Sequence, residues 1–258
     1  MQKKIKLVFF HPYSYLGGAD NSLRRLIENL NLNDFSVTFL SLNKSYLQNI
    51  LDKKIEFKQL KAKRTLFAIS EIKEILNSLK KNKKFKKIIL ISNQNFANIV
   101  ASFCIEKNSK IKSIFIDRNH LDELSFYKNL NDKIKKVIIK ILIKFRYVKA
   151  DKVVGICKKL SNDLGNYIGK KVITIYSPSY DKNIIKKSKN KLNLDKKYKY
   201  ILNVSRFSKR KDHYTTLKAF KIVLRRIKNG NIEKEKVSNS GIVISSIKRE
   251  VQIDGKKI

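Results

Sequence analysis

The chain has little of what punctuates or cross-links a fold: its 258 residues include 8 glycines, 2 prolines and 2 cysteines. Cys104 and Cys157 stand far apart in apolar contexts, so they offer neither a metal-binding spacing nor a disulfide framework. Such cysteine usage suits a reducing cytoplasm. No apolar run is long enough for a membrane-spanning helix, and the apolar run within Met1–Phe10 is too short for a signal peptide. The expected location is therefore cytoplasmic. Acidic residues are scarce as well: 21 Asp and Glu face 59 Lys and Arg, a formal charge of +38. A field of that size attracts polyanions, whether nucleic acid, an acidic membrane or phosphate-bearing substrates. Lys, Asn and Ile are enriched together along the whole chain, which points to a compositional bias more than to a dedicated patch. With no stacking-aromatic motif and no recognised nucleic-acid fold, a specific nucleic-acid partner is not expected, and a basic nucleic-acid-binding protein is the remote alternative.

Further absences narrow the chemistry. The fingerprint G-x-G-x-x-G is missing, and no acid closes the second apolar run at Ser41-Leu42-Asn43. There is no P-loop, so nicotinamide and ATP enzymes are disfavoured. There is no Asp-x-Asp motif either, which fits a metal-independent enzyme with no cofactor.

What is present is alternation. Ile5–Phe10, Phe35–Leu42, Ile55–Leu60, Ile88–Ile91, Ile111–Ile116, Val153–Ile156 and Val172–Ile175 read as strands. Helical periodicity fits Asp20–Asn31, Leu66–Leu79, Asn95–Ile105, Leu124–Val148 and Lys158–Tyr167. The expectation is an α/β fold with a parallel sheet covered on both faces. Within Leu124–Val148, the residues Ile134, Val137, Ile138, Ile141, Leu142, Phe145 and Val148 form one apolar stripe flanked by cations. That stripe either packs on the sheet or lies in an anionic membrane interface. Ser177-Pro178-Ser179 and the charged run Asp181–Lys197 read as a linker.

Three loops carry candidate binding chemistry. Strand Ile5–Phe10 leads through His11-Pro-Tyr-Ser-Tyr-Leu16 to Gly17-Gly18-Ala19-Asp20 and a helix. Paired glycines there allow close backbone approach to a ligand, and the helix N-terminus favours anions; the plain alternative is a tight turn. In Tyr200–Phe220 an apolar strand runs into a loop with Arg206 and Lys211, followed by an amphipathic helix. A guanidinium fork and a mobile ammonium together can grip a diphosphate, although in so basic a chain they can also be solvated loop charges. Asp117-Arg118-Asn119-His120 sits where a parallel sheet presents its carboxyl edge to ligands, or else caps the next helix. His11 and His213 are weaker candidates, with Asp212 placed to cap a helix.

Four stretches in order resemble family 4 glycosyltransferases of the GT-B fold. Leu16-Gly-Gly-Ala-Asp20 is similar to the family's Gly-Gly-Ala-Glu loop, with Asp20 in the place of Glu. Ala150-Asp-Lys-Val-Val-Gly-Ile-Cys157 is similar to Ala-Asp-x-Val-Ile-x-Val-Ser, with Cys157 for Ser. Val172-Ile-Thr-Ile-Tyr-Ser-Pro178 resembles the hinge Val-Ile-Tyr-Asn-Pro, with Ser177 for Asn. Ile201–Phe220 resembles the start of the donor domain, with Ser205 where Gly is usual.

The resemblance implies a GT-B-like architecture of two Rossmann-like domains and transfer of a sugar, with retention, from a nucleotide-sugar such as a UDP-sugar. The acceptor would be a surface glycan or a lipid-linked glycan in polysaccharide, lipopolysaccharide or glycoprotein glycan synthesis. Residues 1–178 would form the acceptor-side domain, 179–198 a linker and 199–227 the start of the donor-binding domain. Arg206 and Lys211 would bind the donor diphosphate, Gly17 and Gly18 would form the donor/acceptor loop, His120 would be catalytic, and Arg118 and Asn119 would hold the acceptor. The family pattern then calls for a Val-Gly-Asp-Gly turn and a Glu-x7-Glu motif, neither of which occurs in the tail 228–258. The expectation is a chain truncated within the donor domain, with an aberrant or disordered tail. It would be an inactive fragment, or half of a split enzyme completed by a separate polypeptide. A lipid-linked acceptor would bring it to the inner face of the cell membrane as a peripheral protein.

Overall fold

In the computed structural model the described residues are 4–15, 17–106, 110–178, 182–190, 202–205, 207 and 211–228. The chain divides into two compact units, Met1–Ser188 and Lys189–Ile258.

The first unit is an α/β fold on seven parallel strands: β1 Lys4–Phe10, β2 Phe35–Ser41, β3 Glu56–Gln59, β4 Phe85–Asn93, β5 Ile111–Asp117, β6 Lys152–Gly155 and β7 Val172–Thr174. Their order across the sheet is β3-β2-β1-β4-β5-β6-β7. Chain order thus reverses between β1 and β4, where a doubly wound sheet opens a crevice at its carboxyl ends. The inner strands are apolar on both sides because both faces are covered, as a parallel sheet requires. Leu7 and Phe9 point to one face, and Val8 and Phe10 to the other.

The helices are α1 Gly18–Glu28, α2 Ile69–Lys81, α3 Asn95–Cys104, α4 Leu130–Arg146, α5 Lys158–Ile168 and α6 Lys182–Ser188. One face of the sheet is covered by α2, α3, α4 and α5 through Ile72, Leu76, Val100, Ile139, Ile143 and Leu164. The other is covered by α1 with Leu23 and Ile27, joined by Leu47 and Leu51 of the segment after β2. The stretch read as linker contains α6.

Local chemistry sets several of the joins. The Asp151 carboxylate accepts from the backbone N–H of Ser113 at 2.9 Å and from its hydroxyl at 3.1 Å, so the Ala150-Asp151 motif ties the start of β6 to β5. Burial pushes that carboxyl up, but the Lys112 ammonium and the two Ser113 donors outweigh it and hold the group below its ordinary range. α5 ends at Gly169, whose φ of 65° is the left-handed cap conformation that glycine adopts without steric cost.

α4 begins at Leu130, later than its periodicity suggests, because the Asn129 side chain accepts from Asp132 N–H at 2.9 Å and caps the helix there. Its core-facing residues are Ile139 and Ile143, followed by Tyr147. Of the stripe identified in the sequence only Leu142 packs against the core; Ile134, Val137, Ile138, Ile141, Phe145 and Val148 are exposed. Among the described residues no helix is long and apolar enough to cross a membrane.

In the second unit the described residues form helix α7, His213–Lys228. As expected, Asp212 caps it, accepting from Thr215 N–H at 3.2 Å. Leu217, Ile222, Val223 and Leu224 of α7 are exposed. Of the strand read from Tyr200, Tyr200 and Ile201 lie outside the described residues, and 202–205 hold a single bridge residue, Leu202, and no regular strand. The tail after Lys228 also lies outside the described residues.

Candidate functional site at the carboxyl edge of the sheet

The carboxyl ends of β1, β4 and β5 carry a continuous polar network. It is best followed from Arg118, just past β5, because a guanidinium can only donate. Arg118 Nε donates to Asn93 Oδ1 at 2.6 Å, and Nη1 donates to the Ser177 hydroxyl at 2.9 Å. With its oxygen committed to Arg118, Asn93 must turn its amide nitrogen toward His11, where Nδ2 donates to Nδ1 at 3.1 Å. The proton of a neutral His11 therefore sits on Nε2. Nε2 lies 3.4 Å from Asp20 Oδ1 but lacks hydrogen-bond geometry to it, and it has no hydrogen-bond partner among the described residues.

Asp20 continues the network. Its Oδ1 accepts from the Ser14 hydroxyl at 2.7 Å and its Oδ2 from Gly17 N–H at 3.3 Å, reaching back to the start of its own helix. Ser45 donates in turn to Ser14 at 2.9 Å. Burial pushes the Arg118 guanidinium down, and the Asp20 charge pulls it back up. The opposite charge of Asp20 thus offsets part of the cost of burying the Arg118 guanidinium.

The two glycines divide their work. Gly17 caps α1 in extended geometry, and a Cβ on it would meet the Tyr15 carbonyl at 3.3 Å. Gly18 is exposed, and a Cβ there would meet nothing within 4 Å, so space above the first turn of α1 is open to a ligand.

On the other side of the switch point, Gln94 joins β4 to α3 with φ of 85°, an uncommon conformation for a residue with a side chain. Asn95 opens α3, and its Oδ1 is buried with no partner among the described residues. Unpaired buried polar atoms cost about 1–3 kcal/mol each. Strain of this kind collects where a fold keeps a site pre-formed.

Beneath these groups lies a second, satisfied network. Ser92 donates to Asn98 Oδ1 at 2.6 Å, Asn98 Nδ2 donates to Tyr147 Oη at 3.1 Å, and Tyr147 donates to Asp117 Oδ2 at 3.1 Å. Burial pushes the Asp117 carboxyl up to about 6, against the pull of Asn119 N–H and Tyr147. Burial also raises the Tyr147 phenol well above its ordinary value. Asn119 N–H donates to Asp117 Oδ1 at 3.4 Å. Asn119 is thus tied to Asp117 through its backbone.

His120 occupies a different setting from Arg118. It precedes the short turn Leu121–Ser125, with Nε2 2.5 Å from Asp163 Oδ2 of α5 and Nδ1 2.8 Å from Asp122 Oδ2. Both ring nitrogens therefore face carboxylates. Lys159, and after it His120, hold the Asp163 carboxyl below its ordinary range. A cleft of about 340 Å³ opens here, lined by His120, Asp122, Lys140, Lys159, Asp163 and Tyr167 among others.

In the second unit Lys211 is exposed immediately before α7. Arg206 lies outside the described residues. The Ser205 hydroxyl and His213 Nε2 approach to 3.3 Å.

The sequence pointed to Arg118, Asn119, His120 and the glycine pair as candidates, with His11 a weaker one. It did not single out Asn93, Gln94, Asn95, Ser14 and Ser45. The signal for three of them was there: Ser92-Asn93-Gln94-Asn95 is an abrupt polar run directly after a buried strand, at the edge where α/β sheets bind ligands.

No family model matches the chain, and neither does any curated protein. Among solved structures it is similar to a UGT transferase from Siraitia grosvenorii in complex with UDP, at 12% identity and a TM-score of 0.46, over 72% of this chain and 54% of that one. It is similar to Phytolacca americana UGT2 complexed with UDP-2fluoro-glucose and pterostilbene, at 12% identity and a TM-score of 0.47, over 72% and 56%. It is also similar to the lipopolysaccharide outer core galactosyltransferase WaaB in its apo form, at 14% identity and a TM-score of 0.42, over 63% and 42%. The chain spans about half the length of these proteins.

Proposed function

We propose that this chain is a sugar transferase of the GT-B, family 4 type, which takes a nucleotide-sugar, in particular a UDP-sugar, and passes the sugar with retention to a glycan or lipid-linked acceptor. Residues 1–178 form its acceptor half. The observation that carries the reading is Arg118: it is anchored at the switch point by Asn93 and Ser177, and its Nη2 has no protein partner among the described residues. A guanidinium held in this way is ready for a phosphate or carboxylate on the acceptor. The open space over Gly18 lets the acceptor lie against the first turn of α1, whose N-terminus favours the same sign of charge.

Arg206 and Lys211 take the donor diphosphate. As the anomeric C–O bond breaks, negative charge grows on the phosphate, and the two cations stabilise it as a divalent ion does in other transferases, so the reaction calls for no metal. The acceptor hydroxyl attacks the anomeric carbon, and its proton leaves with the nucleotide diphosphate. In this reading His120 hydrogen-bonds the donor sugar, which requires its ring to leave Asp122 or Asp163.

A second reading is that a separate polypeptide supplies the rest of the donor half. The exposed apolar residues Leu217, Ile222, Val223 and Leu224 of α7 favour it, because such a face ordinarily rests on a sheet. Equilibrium titration with UDP separates these readings from unrelated chemistry. Saturable binding that Lys211→Ala weakens about tenfold supports the donor assignment, since one charge-assisted contact contributes about 1.5 kcal/mol or more. Binding that Lys211→Ala leaves untouched counts against it.

A further inference from the structure

α4 is apolar on two opposite faces, and only one of them is used. Ile139 and Ile143 sit in the core. On the reverse face Leu130 is 69% exposed, Ile134 50%, Ile138 49%, Ile141 50% and Phe145 64%. These residues recur every three or four positions, so they line up along one side of the helix. Phe126, 73% exposed, and Tyr127, 53% exposed, extend the apolar surface just before the helix starts. A contiguous exposed strip of this kind is unusual on a protein that meets only water.

The charges around the strip say what covers it. α4 contains Lys133, Lys135, Lys136, Lys140, Lys144 and Arg146 against one acid, Asp132. That acid is neutralised by Lys136 at 2.9 Å. Lys133, Lys135 and Lys144 are exposed and flank the strip, with Lys133 Nζ 5.4 Å from the ring centroid of Tyr127. A helix with an apolar strip between rows of lysines lies flat in a lipid interface, side chains among the acyl chains and ammonium groups at the phosphates. A second copy of this chain would bring lysines against lysines around the same strip, which charge repulsion opposes.

We infer that the outward face of α4, with Phe126 and Tyr127, is a docking surface for an anionic phospholipid membrane. It seats the first unit on the bilayer without spanning it. The inference stands on α4 alone and does not depend on the sugar-transfer reading.

The test is partition of the full chain onto vesicles at about 150 mM salt, where the Debye length of about 8 Å screens distant charge. Vesicles are phosphatidylglycerol with phosphatidylcholine in equal parts, or phosphatidylcholine alone. The variant Ile138→Ser/Ile141→Ser/Phe145→Ser keeps the net charge and alters residues that are about half exposed or more and lie outside the core, so a folded protein is expected and is checked by circular dichroism. The expected result is at least tenfold weaker partition onto the anionic vesicles, with Leu66→Ser/Phe67→Ser as an exposed apolar control that leaves binding unchanged. Because the chain has no tryptophan, Phe145→Trp adds a unique reporter, and its emission should shift to the blue on anionic vesicles only. Equal binding by the triple variant, or binding with no emission shift, would mean that bulk charge alone holds the protein and would overturn the inference. A wild-type dimer that the triple substitution converts to monomer, with no vesicle binding, would overturn it in favour of self-association.

Discussion

At the scale of single residues, the switch-point network is ordered by what each group is able to do. Arg118 cannot accept, so Asn93 must offer it an oxygen, and His11 then receives the amide nitrogen and keeps its own proton on Nε2. The two neighbouring asparagines differ in a way that can be measured. Asn98 makes three bonds, to Ser92, Ile116 and Tyr147, and its replacement by Ala strands buried partners. Denaturant unfolding should show Asn98→Ala losing about 2–3 kcal/mol. Asn95 has a buried oxygen with no described partner, so Asn95→Ala should stay within about 1 kcal/mol of wild type. Equal losses at the two positions would contradict the network as drawn.

Asp117 gives a pH signature at the same scale. Its carboxyl titrates near 3.8 when unfolded and at about 6 in the fold, so the native state holds this proton more tightly. Its contribution to stability is therefore fully present below about pH 4 and is lost as pH rises through about 6, on the order of 3 kcal/mol in all. Asp117→Asn keeps an oxygen for Tyr147 to donate to and removes the titration. Melting temperatures of the wild type relative to this variant should fall between pH 4 and 7. A constant difference across that range would place the charge in a better-solvated site.

At the scale of elements, strands were the most legible part of the sequence. Runs such as Leu7–Phe10 and Ile88–Ile91 have both faces covered and read as continuous apolar segments. Helix positions were also legible, but not which face of α4 packs. Periodicity marks an apolar stripe and says nothing of what lies against it, and a helix with two such stripes conceals the choice. The start of the same helix was misplaced because apolar spacing continues back through Leu124, whereas the Asn129 cap decides the boundary. The β6–α5 junction offers a test of packing at this scale. A Cβ on Gly155 would stand 2.5 Å from Ser161 Oγ and 3.1 Å from Ser161 N, and backbone cannot yield as a side-chain tip does. Gly155→Ala should cost about 1–3 kcal/mol, measured by thermal or denaturant unfolding. A neutral result would mean that α5 shifts freely on the sheet.

At the scale of the whole molecule, alternation of strands and helices implied a parallel sheet, but the order β3-β2-β1-β4-β5-β6-β7 was not in the pattern. That order creates the switch point, and with it the meeting of His11, Asn93 and Arg118 from three strand ends far apart in sequence. The candidate site was accordingly only half legible: the residues resembling family motifs stood out, while the asparagines that hold them did not. The excess of positive charge, read first as compositional bias, also flanks the apolar stripe of α4, and burial shows that most of that stripe faces outward.

The most direct test of the account is a kinetic comparison of sugar transfer from UDP-sugars to phosphorylated glycan or lipid-linked acceptors by wild type, Arg118→Ala and Lys211→Ala. If the separate-polypeptide reading holds, the assay includes that partner. The prediction is a split: Arg118→Ala raises the acceptor KM about tenfold or more with kcat little changed, and Lys211→Ala lowers kcat about a hundredfold, equivalent to roughly 2.7 kcal/mol of lost leaving-group stabilisation. Transfer rates that neither substitution alters would contradict the assignment of a sugar acceptor to the β1–β4 crevice and of a donor diphosphate to the loop before α7.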